Sequence, residues 1–275
     1  MVVDKKEHLF CLFVSRTCVC LKTSEEDKGM RIRTPLLALT ITSLLSGCQN
    51  LDNNTLMQSG VQAFQAATLS DAQVKTLSEQ SCAQMDKEAN IAPADSSYTK
   101  RLNNIADALG HDINGTPANY KLYLTKDVNA WAMANGCIRV YSVLMDIMTE
   151  GVLGHEMGHV ALAHSRKAMQ VAYATSAART AVASAGCVAT SLSQSQLADM
   201  GEQLVNAQFS QTQERQADDY SFDLLKRRGI DQQGLASSFE KLAKLDAGQQ
   251  SSMFDSHPAA EERAQHIRDR IAAGK

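Results

Sequence analysis

Val152-Leu153-Gly154-His155-Glu156-Met157-Gly158-His159-Val160-Ala161-Leu162 is the stretch on which the reading of this chain turns. Residues four apart share one face of a helix, so His155 and His159 can reach a common metal ion. Glu156 lies beside them and can take a proton from a water activated there. The apolar flanks fit a core helix, expected over Gly151 to about Gln170. Two imidazoles leave zinc short of its usual three protein ligands. His164 follows His159 too closely, on a rotated face, and reads as structural or exposed, as does His266. A later glutamate is the alternative. In Glu214-Arg215-Gln216-Ala217-Asp218 the two acids stand at i and i+4 on one helix face. Glu214 can complete the site, and Asp218 can accept a hydrogen bond from a liganding imidazole, fixing its tautomer. The pattern predicts one Zn2+ per chain on His155, His159 and Glu214, with Glu156 as catalytic base.

Ser70-Asp71-Ala72-Gln73 is a capping-box pattern opening a helix towards Ala89. A second helix is expected over Tyr98–Leu109, closed by Gly110. Strands follow at Tyr120–Leu124, Ala130–Met133 and Cys137–Tyr141, the last two joined across Asn135-Gly136, a strong hairpin signal. Ser142 to Met148 turns helical. Residues 171–198 are rich in Ala, Ser and Thr; their low hydrophobicity and Arg179 argue against a membrane span and fit either packed helices or a loop. Later helices are expected over Leu197–Arg228, ended by Gly229, then Gln232–Leu245 and Ala259–Ala273. The expected class is α+β, mostly helical, with a small β-sheet beside the metal helix.

The chain has 275 residues, 44% hydrophobic and 21% charged, which suits a globular core. A net charge of −3 without a basic run argues against nucleic acid as a partner. Met30-Arg31-Ile32-Arg33, the apolar run Pro35 to Leu45, and Leu45-Ser46-Gly47-Cys48 have the order of a signal peptide. Leu-Ser-Gly-Cys resembles the bacterial lipobox, which implies cleavage before Cys48 and lipidation of that cysteine. Gln49, rather than Asp, then favours the outer membrane, periplasmic face. The alternative is an ordinary secretory signal with an incidental cysteine. The expected organisation is an upstream extension over 1–29 with translation starting at Met30, a lipoprotein signal peptide over 30–47, a lipidated tether over 48–58, and a single domain over 59–275. Of the remaining cysteines, Cys187 lies in the Ala-rich segment, so a Cys82–Cys137 disulfide is expected in an oxidising compartment. Two reduced, buried thiols are the alternative.

The ordered set Asn129-Ala130-Trp131-Ala132, Gly136 to Val140, His155 to His159, Phe209-Ser210, Glu214 to Asp218, His257-Pro258 and Arg263 resembles the HtpX-type gluzincin metallopeptidases, the family that also contains the CAAX-prenyl endopeptidases. The likeness covers essentially the whole mature chain. It implies a minigluzincin-type core, zinc on His155, His159 and Glu214, Glu156 as general base, and Asp218 behind the ligands. It also implies that Asn129, Ala130, Trp131 and Ala132 lie along the cleft and pair with an extended substrate. His257 and Arg263 would gate the metal or act in the transition state; His257 could equally just open the last helix. The implied activity is a zinc endopeptidase of misfolded or outer-membrane proteins, with outer-membrane assembly machinery or other periplasmic proteases as partners. The alternative is a catalytically latent, chaperone-like periplasmic binding protein. One departure stands out. The family carries about one more helical turn before the motif, whereas Thr149 to Gly154 alone separate Met148 from His155, and Gly151 and Gly154 weaken a helix start.

Overall fold

The computed structural model describes residues 9–14, 17–22, 69–183, 192–246, 252–257 and 259–274. The expected signal peptide, Cys48, the tether, Cys187 and Pro258 lie outside the described residues. Residues 1–50 form one unit, in which β1 (Leu9–Val14) pairs antiparallel with β2 (Thr17–Lys22). Residues 51–275 form the other.

In the larger unit, α1 (Asp71–Glu88) opens on the Ser70–Gln73 capping box. It is followed by α2 (Ser97–Leu109) and a short hairpin of β3 (Asp112–Ile113) and β4 (Thr116–Pro117). Three strands then build one sheet in the order β5-β7-β6: β5 (Asn119–Tyr123), β6 (Ala130–Ala132) and β7 (Cys137–Tyr141). β7 runs parallel to β5 and antiparallel to β6, so β6 is an edge strand.

Strand alternation divides the two faces of this sheet. Leu122, Ala130, Ala132, Ile138 and Val140 enter one apolar core, together with Leu153 and Met157 of the metal helix. Tyr123, Trp131 and Cys137 enter a second, against Val74 and Cys82 of α1. Both faces are covered, so the strands lack a clean polar–apolar alternation. Cys82 and Cys137 are joined as a disulfide, Cα atoms 6.6 Å apart, tying α1 to the central strand. Beside it Arg139, 1% exposed, clasps Asp86 with Nε and Nη2 at 2.8 and 2.9 Å and donates to the carbonyls of Asn119 and Ile138.

The remaining helices are α3 (Ser142–Ile147), α4 (Glu150–Ala161), α5 (His164–Ala183), α6 (Gln194–Val205), α7 (Gln211–Arg228), α8 (Gln233–Asp246), α9 (Ser252–Ser256) and α10 (Ala260–Ala272). Two expectations are corrected here. The helix expected from Gly151 to about Gln170 breaks after Ala161: Leu162 and Ala163 turn back to Gly158 and Val160, and Ala163 takes a left-handed φ of 59°. The helix expected over Leu197–Arg228 breaks at Asn206, and α7 restarts on a capping box of its own, Ser210 with Gln213. Among the described residues, no helix is long and apolar enough to cross a membrane.

The short helix start before the motif also finds its explanation. Thr149 caps α4, accepting from the Gly151 N–H, and its own N–H donates to Ser238 of α8. Gly151, Gly154 and Gly158 form a stripe on which α7 and α8 lie close. A Cβ at Gly158 would come within 3.0 Å of the Ala217 backbone, and one at Gly151 within 2.7 Å of Leu235. The glycines cost helix propensity, but they let α7 approach near enough for Glu214 and Asp218 to meet the histidines of α4.

Candidate metal centre

The α4–α7 contact brings four side chains from three segments together. His155, His159, Glu214 and His257 each offer a ligand atom, and these atoms lie within 4.8 Å of one another, all buried. His155 and His159 turn their Nε2 atoms towards each other at 3.0 Å. Glu214 sends Oε1 to within 3.3 Å of His159 Nε2 and Oε2 to within 3.5 Å of His155 Nε2. His257, at the end of α9, stands with Nδ1 3.0 Å from Glu214 Oε1 and 3.4 Å from His155 Nε2.

The tautomers follow from the surrounding partners. His155 Nδ1–H donates to Asp218 Oδ1 at 2.8 Å, which leaves the Nε2 lone pair aimed into the cluster. Burial pushes the His159 imidazole well below its ordinary pKa, which favours the neutral ring. Two imidazole lone pairs 3.0 Å apart, faced by a carboxylate, repel unless a cation sits between them. The donor set thus fits a metal ion.

Charge balance behind the ligands comes from Arg263 of α10. It holds Asp218 through Nε at 2.9 Å and Nη2 at 2.7 Å, and Glu214 through Nη1 at 2.8 Å. Its guanidinium carbon also sits 4.1 Å from the centre of the Phe239 ring. Burial alone would push the Glu214 carboxyl up, but His257, the Arg263 guanidinium and the neighbouring histidines hold it well below the usual carboxylate range. Asp218 is lowered in the same way, burial being outweighed by Arg263 and His155. For His257 the effect of burial is overcome by the Glu214 carboxylate, and its pKa is raised.

Glu156 is 1% exposed, and its Oε1 lacks a hydrogen-bond partner among the described residues; the nearest cationic atom is His257 Nε2 at 3.8 Å. A carboxylate oxygen buried beside the ligands without a donor is placed to serve a molecule that the site receives. Phe209 stacks on His159, ring centres 3.9 Å apart. β6 packs against α4. The bonds Met133 N→Cys137 O and Tyr141 N→Asn129 O set the antiparallel phase, in which Trp131 bonds inward to Arg139. The peptide groups of Ala130 and Ala132 therefore point away from β7, and the Ala130 N–H is taken by Asn129 Oδ1 at 2.9 Å.

The sequence profile of peptidase family M48 matches residues 96–271, which span the sheet and every element of this centre. The chain belongs to peptidase family M48. It is a metalloendopeptidase by that membership. Metalloprotease LoiP of Escherichia coli K12 is 65% identical over 248 residues, covering 89% of this chain and 98% of that protein. Metalloprotease YcaL of the same organism is 58% identical over 248 residues, covering 87% and 98%. Beta-barrel assembly-enhancing protease of Yersinia pestis is 28% identical over 220 residues, which make up 74% of this chain but 45% of that longer protein. Such an M48 core places together the residues singled out from the sequence: His155, His159, Glu214 and His257 in one cluster, with Glu156, Asp218 and Arg263 around it. His266 stands apart, paired with Asp219 at 2.7 Å. His164 is buried, with its Nδ1 3.2 Å from His159 Nδ1.

Proposed function

We propose that this M48 peptidase uses zinc, held by His155, His159 and Glu214, and that lipid on Cys48 anchors it to the outer membrane, facing the periplasm. Its proposed substrates are misfolded or outer-membrane proteins. The observation that carries the zinc reading is the convergence of two imidazole Nε2 atoms and a carboxylate in one buried cluster. When bound, the zinc supplies Lewis acidity towards water and a peptide carbonyl. Glu156, buried and with an oxygen to spare, accepts the proton of the attacking water and hands it to the leaving amine. Asp218 keeps His155 in the liganding tautomer, and Arg263 offsets the charge of two adjacent carboxylates. The outward carbonyl of Ala130 and the outward N–H and carbonyl of Ala132 suit an extended substrate adding to the edge at β6. The outer-membrane setting is supported by the lipobox-like Leu45-Ser46-Gly47-Cys48 and by a relative whose name refers to β-barrel assembly.

A second reading, of a latent protein, is favoured by one observation. His257 stands among the ligands, its Nδ1 3.4 Å from His155 Nε2 and 3.0 Å from Glu214 Oε1, and a neutral His257 would offer the metal a fourth protein donor where catalytic zinc sites use three. Casein cleavage separates the readings. Cleavage by the purified protein that a chelator abolishes and zinc restores supports the peptidase. Stoichiometric zinc without cleavage, in both wild type and His257→Ala, supports the latent protein.

A further inference from the structure

His164 opens α5 only five positions after His159. On an unbroken helix, five residues turn about 500°, so the two rings would point about 140° apart. The break at Leu162–Ala163 changes this. It brings the His164 ring back beside His159, centroids 5.2 Å apart, on the side away from the metal cluster. The two Nδ1 atoms face each other at 3.2 Å, and His164 Nε2 lies 3.2 Å from Oε1 of Gln216 on α7.

These contacts allow one arrangement of protons if His159 Nε2 is to bind metal. With its lone pair on Nε2, His159 carries its proton on Nδ1. His164 Nδ1 must then accept, since two facing N–H groups or two facing lone pairs would repel. The His164 proton moves to Nε2, where the Gln216 carbonyl oxygen accepts it. We propose that His164, oriented by Gln216, is the positioning residue for His159, fixing it as an Nε2 ligand without adding charge. The two zinc histidines are thus supported differently: His155 by the Asp218 carboxylate, His159 by a neutral imidazole. A carboxylate there would add to the charge of Glu156, Glu214 and Asp218, against the guanidinium of Arg263, and would blunt the Lewis acidity of the metal.

This inference rests on the zinc reading above, and the test separates the two. Zinc affinity is measured on the purified protein by competition with a chromophoric chelator. His164→Ala should weaken zinc roughly 10- to 100-fold, the usual effect of losing a partner behind a ligand. His164→Asn should recover most of that loss, because its Oδ1 can accept from His159 Nδ1–H. Nitrogen-15 NMR of the zinc-loaded wild type should find His164 protonated at Nε2 and bare at Nδ1, a readout that needs no variant to fold. His155→Ala serves as the control. Unchanged affinity there overturns the site itself. Loss there with wild-type affinity in His164→Ala, or a proton on His164 Nδ1, overturns this inference alone.

Discussion

Gly154→Ala should change sign with its neighbour. A Cβ at position 154 would sit 2.7 Å from Ser221 Oγ but 3.4 Å from Ser221 Cβ, so only the hydroxyl is in the way. That hydroxyl is fully buried and donates to the Gly151 carbonyl at 2.7 Å. Alanine in a helix interior brings about 0.8–1 kcal/mol over glycine. Displacing the hydroxyl from its bond into a dry contact costs about 1–3 kcal/mol. Gly154→Ala should therefore destabilise the protein by about 1 kcal/mol. In a Ser221→Ala background nothing has to move, and the same substitution should stabilise it by up to about 1 kcal/mol, a coupling of about 2 kcal/mol. Urea unfolding followed by far-ultraviolet circular dichroism at fixed zinc concentration, on all four proteins, measures this. Effects of Gly154→Ala that agree within about 0.5 kcal/mol in the two backgrounds would refute the close-approach account of the glycine stripe.

Glu156→Gln should lose at least 100-fold in cleavage rate, the typical size of a general-base effect, while stoichiometric zinc by elemental analysis is retained; loss of the metal would make this residue a ligand instead. Glu214→Ala should lose zinc and activity together, and full occupancy in that variant would move the third ligand elsewhere. Asp86 is a pH prediction. Burial opposes its ionisation, but hydrogen bonds from Arg139, Lys121 and Tyr123 lower its pKa from 3.8 to about 2. Its contribution is then complete above about pH 4 and lost as pH falls through 2. After discounting for its partial exposure this is about 1–2 kcal/mol, and Asp86→Asn should flatten that part of the stability–pH curve. Cys48→Ala should move the protein from the membrane fraction to the soluble periplasmic extract, and a variant that still sediments with outer membranes would rule out a lipid anchor.

The metal helix and the acidic pair were legible because both are local, with i and i+4 spacings that any helix turns into one face. The capping box before α7 was legible as well, since Ser210 and Gln213 have the same spacing as Ser70 and Gln73; the Leu197–Arg228 expectation overlooked it. The break after Ala161 had no such mark. Leu162-Ala163 contains neither glycine nor proline, and a left-handed alanine is imposed by packing rather than by local preference. The contact of His164 with His159 depends on that break, so the spacing alone did not show it. Arg263 was only a weak candidate because its partners on α4 and α7 lie far away in sequence, and a guanidinium on an otherwise polar helix looks like any solvated charge. Both sheet faces are buried, so β5 and β7 showed only weak alternation.

Arg263 also bears on the order of synthesis. It stands 108 residues after His155, on the last helix, and it neutralises Glu214 and Asp218 together. A chain made from its N-terminus presents the His155–His159 motif long before the guanidinium arrives. Until then two carboxylates face each other in the would-be interior with no cation between them, which opposes closing α7 onto α4. A chain clipped before Arg263 should therefore fail to close α7 onto α4 and to form the site.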